Sequence, residues 1–258
     1  MSPVAKSPVA KSPVATAIGR SLRLYHGDPR RAAVLDALYR PFVPEGGLAF
    51  DIGAHVGDRT SAFRRLGACA VALEPQPGCL RALRLIHGRD PKVTLVAAAC
   101  GNAVGEVRLA VNSANPTVST ASTRFVAAAA GAAGWEDQTW DAEIVVPCLT
   151  LDALISAHGR PDFVKIDVEG FEDRVLAGLS VAVPALSFEF TTIARAVAHR
   201  CLARLAGLGN YRFALSLGES ARLEEPVWIE AAAMAARLDA LPDAANSGDV
   251  YAALTPPA

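Results

Sequence analysis

From residue 48 onward, short apolar runs and helix-spaced apolar positions take turns along the chain. LAFDI (48–52), AVALEP (70–75), KVTLVAAA (92–99), DFVKID (162–167) and ALSFEF (185–190) are apolar enough to be strands covered on both faces. GEVRLAV (105–111) and NYRFALSL (210–217) add two more predicted strands. Between them the spacing turns helical. DRTSAFRRLG puts Phe63 and Leu66 three apart and stops at Gly67, while FEDRVLAGL puts Phe171, Val175 and Leu179 on one face. TLDALISAHG (150–159) opens on Thr150 as an N-cap, and residues 80–87 and 193–208 continue the series. Strands alternating with helices over about 170 residues predict an α/β fold on a doubly wound, mostly parallel sheet. In such sheets ligands collect at the carboxyl ends of the strands, at the topological switch point.

Three stretches escape the alternation. Residues 1–16 repeat one pentad, SPVAK SPVAK SPVAT, and proline at every fifth position opposes both helix and ladder. This predicts a disordered repeat tail over residues 1–20. A helical lead-in follows over 21–47, carried by Leu24, Val34, Leu35 and Leu38, before the main domain at 48–258. Residues 112–142 are Ser, Thr, Asn, Ala and Gly with Trp135 and Trp140 and show no period. A loop that long in a compact domain predicts a lid, with Ser119, Thr120, Trp135 and Trp140 as candidates for closing over substrate. Near the C-terminus, VWIEAAAMAARLDAL mixes strand and helix signals and fixes no boundary.

Composition narrows the partners. A net charge of −1 leaves no electrostatic footprint for a polyanion, so nucleic acid is not expected as the main partner. No apolar run reaches 18 residues, and Pro and Lys interrupt the N-terminus, so neither a membrane span nor a signal peptide is expected. The 5 cysteines are scattered without a C-x-x-C pair, which fits a reducing compartment, and a cytoplasmic location is expected. His55, His87 and His158 lack ligand spacing, so no metal is expected.

The loop DIGAHVG (51–57) carries the first candidate chemistry. A dinucleotide fingerprint reads G-x-G-x-x-G and a phosphate loop ends in G-K-[ST]. Here Gly53 and Gly57 are spaced G-x-x-x-G, and His55 stands where the second glycine would be. An imidazole there obstructs the close backbone approach that a pyrophosphate needs. An amino-acid-like head group fits better. Its carboxylate can meet the N–H groups opening the next helix, and its ammonium can meet Asp51. Glu74 ends the next strand, 23 residues after Asp51, where an acid commonly accepts hydrogen bonds from ribose hydroxyls. Ribose at one end and an amino acid at the other describe S-adenosyl-L-methionine.

Asp167 and Glu169, in VKIDVEG (164–170), end a strand expected beside the first. Buried carboxylates must be paired or bind something, so these two can offset a sulfonium charge, and one can take a proton from the nucleophile. Glu189, ending ALSFEF, is a weaker signal of the same kind. Two other readings stand beside a methyltransferase. One is a catalytically silent Rossmann-like binding or partner module; the other is a nicotinamide-dependent oxidoreductase, which would need the missing third glycine.

Taken together, FDIGAHVGDRT, ALEP, TLDALI followed by PDFVKIDVEGFEDRVLAGL, and SFEF resemble the FkbM family of S-adenosylmethionine-dependent methyltransferases over residues 48–217. The resemblance implies a Rossmann-like, usually seven-stranded fold and methyl transfer, often to oxygen. It also implies that Asp51, Gly53, Gly57 and Glu74 sit on the cofactor. The expected acceptor is a hydroxyl on a small molecule or glycan, with Asp167 or Glu169 as the base. Family members frequently carry Asn where this chain has His55.

Overall fold

A computed structural model describes residues 12–225 and 228–256. In chain order the elements begin with α1 (Pro13–His26), α2 (Pro29–Tyr39), β1 (Leu48–Ile52), α3 (Asp58–Arg65), β2 (Cys69–Leu73), α4 (Pro77–His87) and β3 (Val93–Val96). There follow β4 (Ala99–Cys100), β5 (Gly105–Val111), α5 (Thr123–Ala129), β6 (Ala142–Leu149), α6 (Leu151–His158) and β7 (Phe163–Ile166). The chain closes with α7 (Glu172–Ala177), β8 (Ala185–Thr191), α8 (Arg195–Leu208), β9 (Arg212–Leu217), α9 (Ala231–Ala240) and β10 (Ser247–Ala253). Among the described residues no helix is long and apolar enough to cross a membrane.

The main sheet has 7 strands in the order β3-β2-β1-β7-β8-β10-β9, and only β10 runs antiparallel to its neighbours. The α/β fold with a mostly parallel seven-stranded sheet is therefore the one expected. Its central strand, β1, has β2 on one side and β7 on the other, with Asp51 in register with both Ala72 and Lys165. The strand order reverses at β1, so the crevice beyond its carboxyl end is the switch point. Alternate residues of the strands feed two cores. Phe50, Ile52, Val164, Ile166, Leu186 and Phe188 pack with the faces of α6, α7 and α8. On the other face Ala49, Phe163 and Tyr251 meet Tyr39, Phe42 and Phe63. There the Tyr39 and Phe63 rings stand edge to face at 5.0 Å, and Phe42 stacks on Tyr251 at 5.6 Å. This second core fixes α2 and α3 against the strand whose end carries the crevice.

Two regions differ from the sequence expectation. The third copy of the pentad is helical rather than extended, because the Ser12 hydroxyl caps the Ala15 N–H (3.2 Å) and Pro13 occupies the first helical turn. Residues 1–11 lie outside the described residues. The segment 112–142 is a packed subdomain rather than a bare loop. Phe125 stands edge-on to Trp135 (5.1 Å) and Trp140 (6.3 Å), and these rings enclose Val118 and Ala129. Beneath it lies a second sheet, β4-β6-β5.

Candidate functional site

The loop after β1 is shaped by three backbone demands. Gly53 and Ala54 both donate to the Leu73 carbonyl (3.0 Å each), which folds the loop over the end of β2. Gly53 has φ +84°, and a Cβ there would lie 1.8 Å from the Asp167 carbonyl oxygen, so the neighbouring strand end admits only glycine. Gly57 also has φ +84°, at the cap of α3. His55 adopts φ +47°, a region where His and Asn are both enriched among non-glycine residues. His55 meets the neighbouring strand end through its backbone N–H.

That N–H donates to Glu74 Oε2 at 2.9 Å, while the Gln76 N–H donates to Oε1 at 2.7 Å. Glu74 is 2% exposed, and burial pushes its carboxyl up to about 7. Each oxygen accepts one backbone bond and keeps a second lone pair, an arrangement suited to a vicinal diol. Across the loop, Asp51 accepts from the Thr60 hydroxyl (2.5 Å), and burial pushes its carboxyl up to about 6. Asp51, Gly53, His55 and Glu74 all line one crevice enclosing about 1000 Å³ of atom-free space, part of it open to solvent. Gly57 shapes the corner without lining the crevice.

The crevice floor is a buried lysine. Lys165 on β7 is 1% exposed and pairs with Asp249 (2.6 Å) on β10 and Asp167 (3.2 Å). Burial pushes the Asp167 carboxyl upward, but the Lys165 and Arg59 charges outweigh it and hold it below the usual carboxylate range. Glu169 has the opposite balance. Burial first, then the Asp167 and Glu172 carboxylates, raise it well above its ordinary value. Glu189 behaves likewise, with burial followed by Asp167 and Glu169. One oxygen from each of Asp167, Glu169 and Glu189 lies within 4.8 Å of the others. The absence of histidine ligand spacing thus leaves an all-carboxylate cluster capable of holding a metal.

Several lining residues had no sequence signal attached to them. Tyr25 reaches in from α1 and meets the His55 ring edge-on at 5.7 Å, so the N-terminal helix covers the crevice. Arg59 pairs with Asp58 (2.5 Å), and Arg31 with Glu219 (2.8 Å), at the same mouth. Lys165 could have been found, because a lysine inside the apolar run DFVKID has to be paired if it is buried. From the 112–142 segment, Pro116, Thr117, Ser119 and Ala121 line the crevice, and Ser119 bonds Gln76 (3.1 Å) beside Glu74. Thr120 instead donates to the Glu169 carbonyl (2.6 Å), and Trp135 and Trp140 belong to the aromatic cluster away from the lining.

These residues fit S-adenosylmethionine on their chemistry: a diol acceptor at Glu74, backbone N–H groups at the glycine corner, and surrounding carboxylates for a sulfonium. Comparison with a family model points the same way. A family model described as the Methyltransferase FkbM domain matches residues 51–199, more than half of the chain. No curated protein matches it. Similar solved structures include an O-methyltransferase from Bacillus cereus in complex with SAH, at 11% identity over 98% of this chain and 93% of that one, TM-score 0.46. A putative O-methyltransferase from Klebsiella pneumoniae shares 10% identity over 98% and 92%, TM-score 0.46. Precorrin-6y C5,15-methyltransferase from Geobacter metallireducens GS-15 shares 14% over 88% and 87%, TM-score 0.44. The chain belongs to the FkbM methyltransferase family and is an S-adenosylmethionine-dependent methyltransferase.

Proposed function

We propose that this methyltransferase acts on a hydroxyl of a small molecule or glycan, and that Asp51, Gly53, His55, Gly57 and Glu74 form its cofactor site. The observation that carries the acceptor class is the group of carboxyls at the ends of β7 and β8, opposite Glu74 in one crevice. Such a wall accepts hydrogen bonds from neutral hydroxyls. Cover from Tyr25 and residues 116–121 favours an acceptor small enough to enter a crevice.

When bound, S-adenosylmethionine supplies an electrophilic methyl on a sulfonium. The chain's part begins with orientation. Glu74 would hold the ribose through its free lone pairs, the corner at 53–57 would receive the amino-acid head, and Asp51 would face the ammonium. Asp167, ionised beside Lys165, accepts the acceptor's O–H and aligns its oxygen with the methyl group. Methyl transfer to the acceptor oxygen would leave the cofactor as a thioether, and a carboxylate of this group would take the hydroxyl proton. Glu169, with its raised proton affinity, is the stronger base of the two when ionised.

The test uses methyl-labelled cofactor with extracts of source cells, followed by identification of the labelled product. A methyl ether is expected. Label on nitrogen, carbon or nucleic acid would overturn the acceptor class. With the acceptor in hand, Asp167→Asn should lower turnover by about 10²–10⁴-fold while S-adenosylhomocysteine affinity is kept.

A further inference from the structure

The carboxyl cluster asks for a positive charge that the protein does not provide. Glu169 is 9% exposed and lines the crevice, yet among the described residues no hydrogen-bond donor reaches its carboxyl. Glu189 Oε2 is shielded from solvent and also has no partner. The nearest ammonium, Lys165, is committed to Asp249 at 2.6 Å and to Asp167 at 3.2 Å. Two of the three carboxyls are therefore left without a counter-charge in a place where an unpaired ionised group is costly.

We propose that Asp167, Glu169 and Glu189 bind a divalent metal cation of the Mg²⁺, Mn²⁺ or Ca²⁺ type. Their donor oxygens lie within 4.8 Å of one another, so a common centre sits at most about 2.8 Å from each. That is close to the 2.3–2.6 Å of Ca²⁺–oxygen bonds, and contraction by about 0.7 Å reaches the 2.0–2.1 Å of Mg²⁺. The set contains only oxygen, which selects hard cations over zinc or copper. Asp167 and Glu169 flank the end of β7 and Glu189 comes from β8, so the ligands hang from two hydrogen-bonded parallel strands. Three protein ligands leave coordination positions free toward the crevice.

The site itself does not depend on the acceptor class, but its role does, and that role rests on the hydroxyl acceptor proposed above. A cation there would polarise the hydroxyl and so compensate for a carboxylate's weakness as a base toward an alcohol. A carboxylate that binds through one oxygen keeps the other for the proton.

The experiment uses the full chain, stripped with EDTA and exchanged into chelator-free buffer, without cofactor or acceptor. Mn²⁺ is titrated in, and free Mn²⁺ is read by electron paramagnetic resonance. One site per chain is expected, competed by Mg²⁺ or Ca²⁺, and weakened about 10–100-fold or more in Glu169→Gln and in Glu189→Gln. Both variants keep the side-chain shape and reduce like-charge repulsion, so they should fold. S-adenosylhomocysteine affinity, measured on the same samples, confirms the crevice is intact. Mn²⁺ should also raise the wild-type melting temperature more than those of the variants. No stoichiometric Mn²⁺ binding, or equal binding by wild type and both variants, would overturn the site. Retained S-adenosylhomocysteine binding in that case would leave the cofactor assignment standing.

Discussion

Glu74→Gln isolates what the diol acceptor is worth. In the native site both oxygens accept a backbone N–H, at 2.9 and 2.7 Å, and each keeps one lone pair for a ribose hydroxyl. Glutamine retains one such oxygen and replaces the other with an amino group. One hydrogen bond from the ligand to a charged group is then lost, about 1.5–3 kcal/mol, and the other falls to the neutral value near 1 kcal/mol. A total loss of about 2–5 kcal/mol means an affinity roughly 30- to 4,000-fold weaker. The assay is calorimetry with S-adenosylhomocysteine at pH 8, where the native carboxyl, pushed up to about 7 by burial, is ionised. The hydroxyls donate more strongly to the ionised than to the protonated form, so the ligand favours deprotonation and native affinity should rise with pH. One unit below that value it should be up to about tenfold weaker than at its plateau. The variant lacks this proton and should lose that part of the pH profile. Affinity within threefold of native at pH 8, or an unchanged profile, would refute the role of this carboxylate.

Other consequences concern the frame around the ligand. Burial raises Glu74 and Glu172 to about 7 and Asp51 to about 6, so the stability they confer is full at acid pH and is lost as pH climbs to those values. Asp58 and Asp167 are lowered, and their contribution is lost only on acidification below the usual aspartate range. His55 and His87, lowered by burial, act in the opposite direction but are outnumbered by the raised carboxyls. Ligand-free protein should therefore melt at a higher temperature near pH 5 than at pH 8, and a melting temperature rising across that span would contradict the assignment. Gly53→Ala forces an alanine to φ +84° with its Cβ 1.8 Å from the Asp167 carbonyl oxygen. It should cost roughly 3 kcal/mol or more in denaturant unfolding and weaken cofactor binding; a native-like variant would mean that the strand ends can part freely. Phe125→Ala removes the centre of the aromatic cluster above Gly170 and should cost about 3–5 kcal/mol if the 112–142 segment unfolds with the domain. A loss below about 1 kcal/mol would mean that the segment opens independently.

The fold and the glycine corner after β1 were legible where the signal was local. β1, β2, β7 and β8 are short apolar runs that each end at or beside an acid, and the glycine spacing after β1 reports a backbone constraint. What stayed hidden depends on partners distant in sequence. SGDVYAA reads as no strand, with Gly248 and Asp249 near its start, until β8 and β9 provide hydrogen bonds on both of its edges. Pro147 interrupts the apolar pattern of β6, which becomes a strand only beside β5. The pentad misled because proline opposes a helix interior but suits its first turn, and no proline follows Pro13 before Pro29. In the 112–142 segment the tryptophans looked like a substrate cover. They pack on Phe125 instead, and the covering residue, Tyr25, comes from a helix whose contacts with the crevice span some thirty positions of sequence. Lys165 and Asp249 lie on different strands, and only the folded sheet makes them a pair.

The most direct test of the account is a crystal structure of the protein with S-adenosylhomocysteine. Both ribose hydroxyls are expected within hydrogen-bonding distance of the Glu74 carboxylate, with the amino-acid head at the 53–57 corner near Asp51. An adenosine bound outside this crevice, or a ribose turned away from Glu74, would contradict it.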